Sequence, residues 1–129
     1  MLTVTKDMVL PTTECASSGG KDLSFLSQCP KSKKIAIGVA NHTNTMVEPP
    51  EVIADLIRKA LTYISPDQLI LSTDCGFGRE GLSRRIAFYK CVALTQGANI
   101  VRRELGLEEV SIRAADPQFS FFSFAEVRG

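Results

Sequence analysis

Residues 34–40 read KIAIGVA, a nearly continuous apolar run whose only charge stands at its first position. A second run of the same kind, QLILS, occupies residues 68–72. Neither run alternates apolar with polar residues, which is typical of strands that are covered on both faces in a parallel sheet. The two runs therefore predict two buried strands of such a sheet.

Helical patterns follow both predicted strands. From Pro50 to Ile64 apolar residues recur at the spacing of one helix face, and Pro66 prevents continuation. The stretch from Ser83 to Leu105 predicts a second long helix, with Ser83 as its N-cap and Gly106 just beyond its end. The inward faces are predicted to consist of Ile53, Leu56, Ile57, Ala60, Leu61 and Ile64 in the first helix and of Ile86, Ala93, Leu94, Gly97, Val101 and Leu105 in the second.

Two shorter elements precede these. Met8–Leu10 predicts a strand that ends near Glu14, although Pro11 weakens it, and Asp22–Leu26 predicts a short helix or turn. The resulting alternation of strands and helices indicates an α/β domain with right-handed crossovers.

The composition is that of an ordinary globular chain. Its 129 residues, 44% hydrophobic and 22% charged, suffice for one domain with a core. Fifteen basic residues against fourteen acidic ones leave a net charge of +1, which argues against a nucleic-acid partner. No stretch approaches the ~20 apolar residues that span a bilayer, and the first residues lack a secretory pattern. We therefore expect a cytoplasmic protein with no membrane partner.

Cysteine and histidine are too sparse for a self-contained zinc ribbon or a histidine-rich site. Cys15, Cys29, Cys75 and Cys91 are scattered without a CxxC pair, and a disulfide framework is not expected outside a secretory context. Cys29 and Cys91 are interpreted as structural. His42, the only histidine, is predicted to be a surface or rim side chain.

Polar or glycine-rich loops follow the three predicted strands, at residues 13–20, 41–44 and 74–81. The carboxyl ends of parallel strands lie at one edge, so these loops should share one rim. Cys75 in the third loop is either a metal ligand or nucleophile, or a small buried residue. Residues 76–81 also match GxGxxG, which can cradle a pyrophosphate, but no further strand with a terminal acidic residue follows them.

The stretch LILSTDCGFG at residues 69–78, preceded by VEPPEVI at 47–53, resembles the C-terminal catalytic domain of cobalamin-independent methionine synthases. The resemblance covers about residues 9–107 and leaves 108–129 as a tail. It implies an α/β fold of the TIM (β/α)₈ barrel type, which has eight strands in ~250 residues. Residues 1–129 are therefore interpreted as a single partial domain, the last three or so βα units of a barrel, from a truncated or split gene or a longer protein.

The resemblance implies a zinc-dependent transfer of a methyl group from methyltetrahydrofolate to a small-molecule thiol such as homocysteine, in methionine biosynthesis. The cysteine ligand of the family's last Asp-Cys-Gly motif matches Cys75, and its glutamate ligand matches Glu14. Zinc accepts both ligand types, and we expect Glu14 and Cys75 to lie at the ends of neighbouring strands. A zinc-bound thiolate stays nucleophilic at neutral pH. The substrate-binding rim implied by the same loops consists of Asn41, Thr43, Asp74, Gly76 and Gly78.

The chain departs from the family in its metal ligands and in its second loop. It contains no His-x-Cys pair, so two of the four expected ligands are absent and zinc should bind only weakly to this chain alone. Asn41 and Thr43 stand where the family has aspartate and histidine, and His42 is one place off. The family's histidine is a candidate proton donor, and that role is therefore not transferred to His42.

Three functions remain open at this point. The first is the methyltransferase-type domain, and the second is a truncated non-catalytic remnant or partner subunit. Either would assemble with a complementary barrel half or with itself. The third is a nucleotide-binding α/β protein that uses the glycine-rich loop.

Overall fold

The computed structural model describes residues 9–21, 23–77 and 82–118, and for residues 9–14 the backbone only. The strands are β1 (Val9–Glu14), β2 (Lys34–Ala40) and β3 (Leu69–Thr73), the helices are α1 (Pro50–Ala60) and α2 (Arg84–Glu104), and 3₁₀ turns cover Leu23–Gln28, Pro66–Gln68 and Arg113–Ala115. The three strands form a parallel sheet in the order β1-β2-β3. The predicted α/β alternation is therefore confirmed.

The bounds of the strands agree closely with their sequence patterns. β2 has the predicted bounds, and β3 lies one residue further along the chain than residues 68–72. β1 ends at Glu14 as predicted, in spite of Pro11, whose nitrogen has no hydrogen to donate. The pairing of β1 with β2 shifts register between Leu10 and Thr13, which accommodates that proline. Met8, where we predicted the strand to begin, lies outside the described residues.

Burial distinguishes the central strand from its neighbour. Residues 35–40 of β2 are all buried, as predicted for a strand covered on both faces. β3 is only half-buried along its whole length, so the same prediction is wrong there. Among the described residues β3 pairs only with β2, which leaves its other edge uncovered.

Helix α1 begins at Pro50 as predicted but ends at Ala60, before the predicted end at Ile64. Beyond Ala60 the backbone tightens, and the amide of Tyr63 donates to the carbonyl of Ala60 at 3.0 Å. The shorter helix still leads to burial of the predicted stripe, in which Leu61 is half-buried and the others are buried: Ile53, Leu56, Ile57, Ala60 and Ile64.

Helix α2 follows its predicted cap, since the side-chain oxygen of Ser83 accepts a hydrogen bond from the Ile86 amide at 3.2 Å. Its buried face includes the predicted Ala93, Gly97 and Val101, whereas Ile86 and Leu94 are half-buried. Leu105 is 47% exposed because it lies beyond the last helical turn, so its predicted place in the core is wrong. No helix in the described part of the chain combines the length and apolar character that crossing a membrane requires.

The two helices approach each other closely at Gly97. A methyl group added there would lie 2.8 Å from the side chain of Ile53 and 2.8 Å from the carbonyl oxygen of Pro50. The absence of a side chain at Gly97 therefore allows α2 to lie directly against the first turn of α1.

The segment after α2 is attached to that helix through its polar side chains. Asn99 is buried, donates to the Val110 carbonyl at 3.0 Å and accepts from the Val110 amide at 2.8 Å. Gln96 donates to the Asp116 carbonyl at 2.8 Å. The predicted tail, residues 108–129, is thus partly a packed segment, and its part beyond Gln118 lies outside the described residues.

Gly97→Ala tests the close packing of the helices. Such a change inside an exposed helix stabilises by about 0.5–1 kcal/mol, but here the new methyl group overlaps Ile53 and the backbone of Pro50. We expect the free energy of unfolding in urea to fall by about 1–3 kcal/mol. Gly76→Ala is the matched control, because nothing lies within 4 Å of a Cβ at that position. A Gly97→Ala variant more stable than the wild type would contradict the packing.

Candidate functional site

The carboxyl ends of the three strands lie at one edge of the sheet. Glu14 is in register with Gly38 of β2, and Gly38 is in register with Ser72 of β3. β2 lies between β1 and β3, so the expectation that Glu14 and Cys75 follow neighbouring strands is wrong. A contact between the loops after β1 and β3 must therefore cross the end of β2.

The side chain of Asp74 makes that crossing. Its Oδ1 accepts a hydrogen bond from the Ala16 amide at 3.0 Å, and its Oδ2 accepts from the Ser17 amide at 2.7 Å. The Asp74 amide donates to the Ala40 carbonyl at the end of β2 at 2.9 Å. Asp74 is 5% exposed, and hydrogen bonds of this charge-assisted kind offset much of the cost of burying a carboxylate.

Gly38 makes the crossing possible. A Cβ at this position would lie 2.3 Å from Asp74 Oδ1 and 2.6 Å from Asp74 Cα. Any other residue would occupy the space through which the carboxylate reaches Ala16 and Ser17. The close approach of the Asp74 side chain therefore explains why KIAIGVA contains a glycine at position 38.

The crossing brings the two candidate metal-ligand positions to the same part of the rim. Ala16, two residues after Glu14, is bonded to Asp74, the residue before Cys75. Cys75 is half-buried, and its carbonyl accepts from the Thr73 hydroxyl at 2.9 Å. The side chain of Glu14 lies outside the described part, and within that part no group of three or more His, Cys, Asp or Glu side chains could hold a metal ion.

The predicted rim residues are found in two different loops. Asn41 and Thr43 follow β2, where Asn41 Oδ1 accepts from the Thr43 amide at 2.9 Å and from its hydroxyl at 2.7 Å. Gly76 is exposed in the loop after β3. Gly78 lies outside the described residues, as does most of the GxGxxG stretch at 76–81, so the nucleotide-binding interpretation stays a prediction.

His42 lies in the loop after β2 but is 9% exposed. Its Nδ1 is buried without a hydrogen-bond partner among the described residues. The prediction of a surface side chain is therefore wrong, whereas the predicted place in a rim loop is correct.

A buried ion pair beside this loop was not predicted from the sequence. Lys90 of α2 is fully buried and pairs with Glu48, whose other carboxylate oxygen accepts from the Asn41 amide at 2.6 Å. The sequence did contain a signal, because Lys90 is in phase with Ala93 and Gly97 on the inward face of its helix. A lysine on the inward face indicates either that the helix is wrongly assigned or that the lysine forms one half of a buried ion pair.

The four cysteines all lie in the described part of the chain, and none forms a disulfide there. Cys15, next to Glu14, is buried. Cys29 Sγ accepts from the Gln68 side chain at 3.9 Å in the turn before β2, consistent with a structural role. Cys91 lies on α2, and partial burial raises the pKa of its thiol, which disfavours the thiolate.

Comparisons with known proteins point to one family. Residues 4–94 match the family described as cobalamin-independent synthase, catalytic domain. A methionine synthase of Thermococcus kodakarensis is 40% identical over 95 residues, which are 74% of this chain and 27% of that protein. A methionine synthase of Saccharolobus solfataricus is 36% identical over 92 residues, or 71% of this chain and 27% of its own length.

A solved structure has a fold similar to that of this chain. It is the B12-independent methionine synthase from Shewanella sp. W3-18-1, in complex with selenomethionine, with a TM-score of 0.67 and 33% identity. The match covers 75% of this chain and 27% of that chain. It confirms the resemblance carried by residues 69–78 and the expected partial barrel. This chain spans about a quarter of the length of these relatives.

Asp74→Asn tests the crossing carboxylate. The variant keeps the size of the side chain but replaces one acceptor oxygen with an NH₂ group, so the Ala16 or the Ser17 amide loses its partner. We expect urea unfolding to show a loss of about 1.5–3 kcal/mol. Asp55→Asn is the control, because the Asp55 side chain is 69% exposed, and the expected change is below about 0.5 kcal/mol. Equal losses in the two variants would show that the two bonds contribute nothing special.

Proposed function

The chain belongs to the catalytic-domain family of cobalamin-independent methionine synthases, and we propose that it forms the closing βα units of a methyltransferase barrel. In the proposed reaction a methyl group passes from methyltetrahydrofolate to a small-molecule thiol such as homocysteine. The relatives that carry the name methionine synthase are about four times as long as the matched region, which is 27% of each. The activity is therefore proposed for an assembled barrel.

The observation that carries the proposal is the contact of Asp74 with Ala16 and Ser17 across Gly38. It fixes the loop that begins beside Glu14 against the residue that precedes Cys75. The two positions therefore lie at the same rim, which supports the assignment of Glu14 and Cys75 as two ligands of one zinc ion.

The described residues do not by themselves fit a complete zinc site. Zinc takes four ligands in structural sites and three protein ligands with an open position in catalytic sites. The chain offers two matching positions, and the described residues contain no group of three candidate ligands. We propose that the remaining ligands come from the rest of the barrel.

The rim residues then have different roles in the proposal. Asn41 and Thr43 lie at the rim after β2, where we propose that their loop contacts substrate. Gly76 leaves the backbone after Cys75 accessible, because it is exposed and carries no side chain. Both oxygens of Asp74 are bonded to backbone amides. We propose that this residue orients Cys75 rather than contacting substrate itself.

The uncovered edge of β3 also supports a partner. β3 is half-buried and pairs only with β2 in the described sheet, so its outer edge presents backbone groups without strand partners. Exposed strand edges of this kind promote pairing with other strands, and a closed barrel removes them. We propose a complementary barrel half as the partner, with self-association as the alternative when that half is absent.

Cys75→Ser in a reconstituted barrel tests the metal assignment. This chain is co-expressed with the part of the Shewanella relative outside the matched region, and zinc content and methyl transfer to homocysteine are measured on the purified complex. Loss of a thiolate ligand should lower the zinc affinity by more than about tenfold and remove methyl transfer with it. Cys91→Ser and Cys29→Ser are the matched controls and should leave both properties largely unchanged.

The outcomes separate the candidate functions. A Cys75→Ser complex that binds zinc as well as the wild type would overturn the assignment of Cys75. A wild-type complex that assembles and binds zinc but transfers no methyl group would favour the non-catalytic partner subunit. Saturable binding of a dinucleotide to the chain would favour the third function instead.

A further inference from the structure

The loop between β2 and α1, residues 41–48, is closed by a buried charged network. Glu48 at its end reaches back to its start, where Oε2 accepts from the Asn41 amide at 2.6 Å. The other oxygen of Glu48 pairs with Nζ of Lys90, and Nζ also donates to the Met46 carbonyl at 2.8 Å. One ammonium group from α2 thus holds a loop that belongs to the preceding βα unit.

Burial makes this network different from an ordinary surface ion pair. The Lys90 side chain is 0% exposed and that of Glu48 is 13% exposed. A buried charge whose partner is removed is strongly unfavourable, so each of these groups constrains the position of the other. The pair Arg58–Glu104 also links α1 to α2, but its side chains are 41% and 46% exposed, and exposed pairs contribute little.

Exposed hydrogen bonds between residues two positions apart also shape the loop. Asn41 Oδ1 bonds to Thr43, and Asn44 Oδ1 accepts from the Met46 amide at 2.9 Å. These bonds fix the path from Asn41 to Met46 locally, whereas the Lys90–Glu48 pair links the loop to α2. The orientation of the loop at the rim therefore depends on the buried pair.

We infer that Lys90 and Glu48 are positioning residues that hold Asn41 and Thr43 in a substrate-binding conformation. The inference rests on the proposed function, in which this loop contacts substrate at the rim. In this role both residues act through the Asn41 amide and the Met46 carbonyl. An apolar residue at 48 would leave the Asn41 amide without its acceptor, which explains why this position carries a carboxylate.

The first experiment uses this chain alone and needs no activity. Amide hydrogen exchange at Asn41 is measured in the wild type, in Lys90→Met and in the double variant Lys90→Met/Glu48→Gln. We expect exchange at Asn41 to accelerate by at least about tenfold in Lys90→Met. Arg58→Met is the matched control and should change it by less than about threefold.

The double variant keeps the test valid if Lys90→Met does not fold, because it leaves no uncompensated buried charge. Its glutamine can still accept from the Asn41 amide, so we expect exchange there to lie between the wild type and Lys90→Met. Unchanged Asn41 exchange in every folded Lys90 variant would overturn the inference.

The second experiment measures kinetics in the barrel reconstituted with the Shewanella segment. Misplacement of the loop should raise the KM for homocysteine or methyltetrahydrofolate by about tenfold in the double variant, with a smaller change in kcat. A purely structural role would lower the amount of folded enzyme, reducing the apparent kcat while leaving KM unchanged, and that result would overturn the inference. If the wild-type complex transfers no methyl group, the proposed function fails, whereas the exchange experiment still decides whether the pair positions the loop.

Discussion

The carboxylate of Asp74 crosses β2 at Gly38, the position that carries no side chain. The geometry of the rim depends on that crossing. β1 and β3 are separated by β2, so their loops could not meet if residue 38 carried a Cβ. The amides of Ala16 and Ser17 occupy both carboxylate oxygens, and the backbone of Asp74 is bonded to the end of β2. A single buried side chain therefore joins the ends of all three strands.

The buried pair Lys90–Glu48 is a second constraint of the same physical kind. In the described part of the chain, the buried charged residues are Asp74 and Lys90, and both lie beside rim loops. Each is satisfied by groups from another βα unit, so each fixes two units relative to each other. The exposed pair Arg58–Glu104 lowers the pKa of the Glu104 carboxyl through its hydrogen bond, but solvent screening limits its value to the fold.

The apolar patterns predict most of the strands and helices, because the burial of apolar residues determines those patterns. Residues 35–40 are buried, as is the stripe from Ile53 to Ile64 apart from the half-buried Leu61, and their periods follow from strand and helix geometry. The incomplete burial of β3 could not be predicted, because it depends on which strand lies beyond it. The end of α1 was missed for a local reason: nothing in its apolar period distinguishes a helix from the tighter turns after Ala60.

The site was predicted only in part. Its place at the strand ends follows from parallel topology, whereas the assignment of Cys75 depends on its motif and stays a prediction. The role of Gly38 could not be seen in the sequence, because a close approach by Asp74 leaves no periodic signal. The burial of Lys90 does not follow from its residue type, because a charged residue in a helix is usually solvated, and only its phase with Gly97 indicates otherwise.

Amide hydrogen exchange at Ala16 and Ser17 tests the central claim most directly. In the wild type both amides should be protected, since each donates to the buried carboxylate of Asp74. In Asp74→Asn, exchange at one or both should accelerate by at least about tenfold, while the amides in the middle of β2 keep their protection. Unchanged protection of Ala16 and Ser17 in that variant would contradict the account.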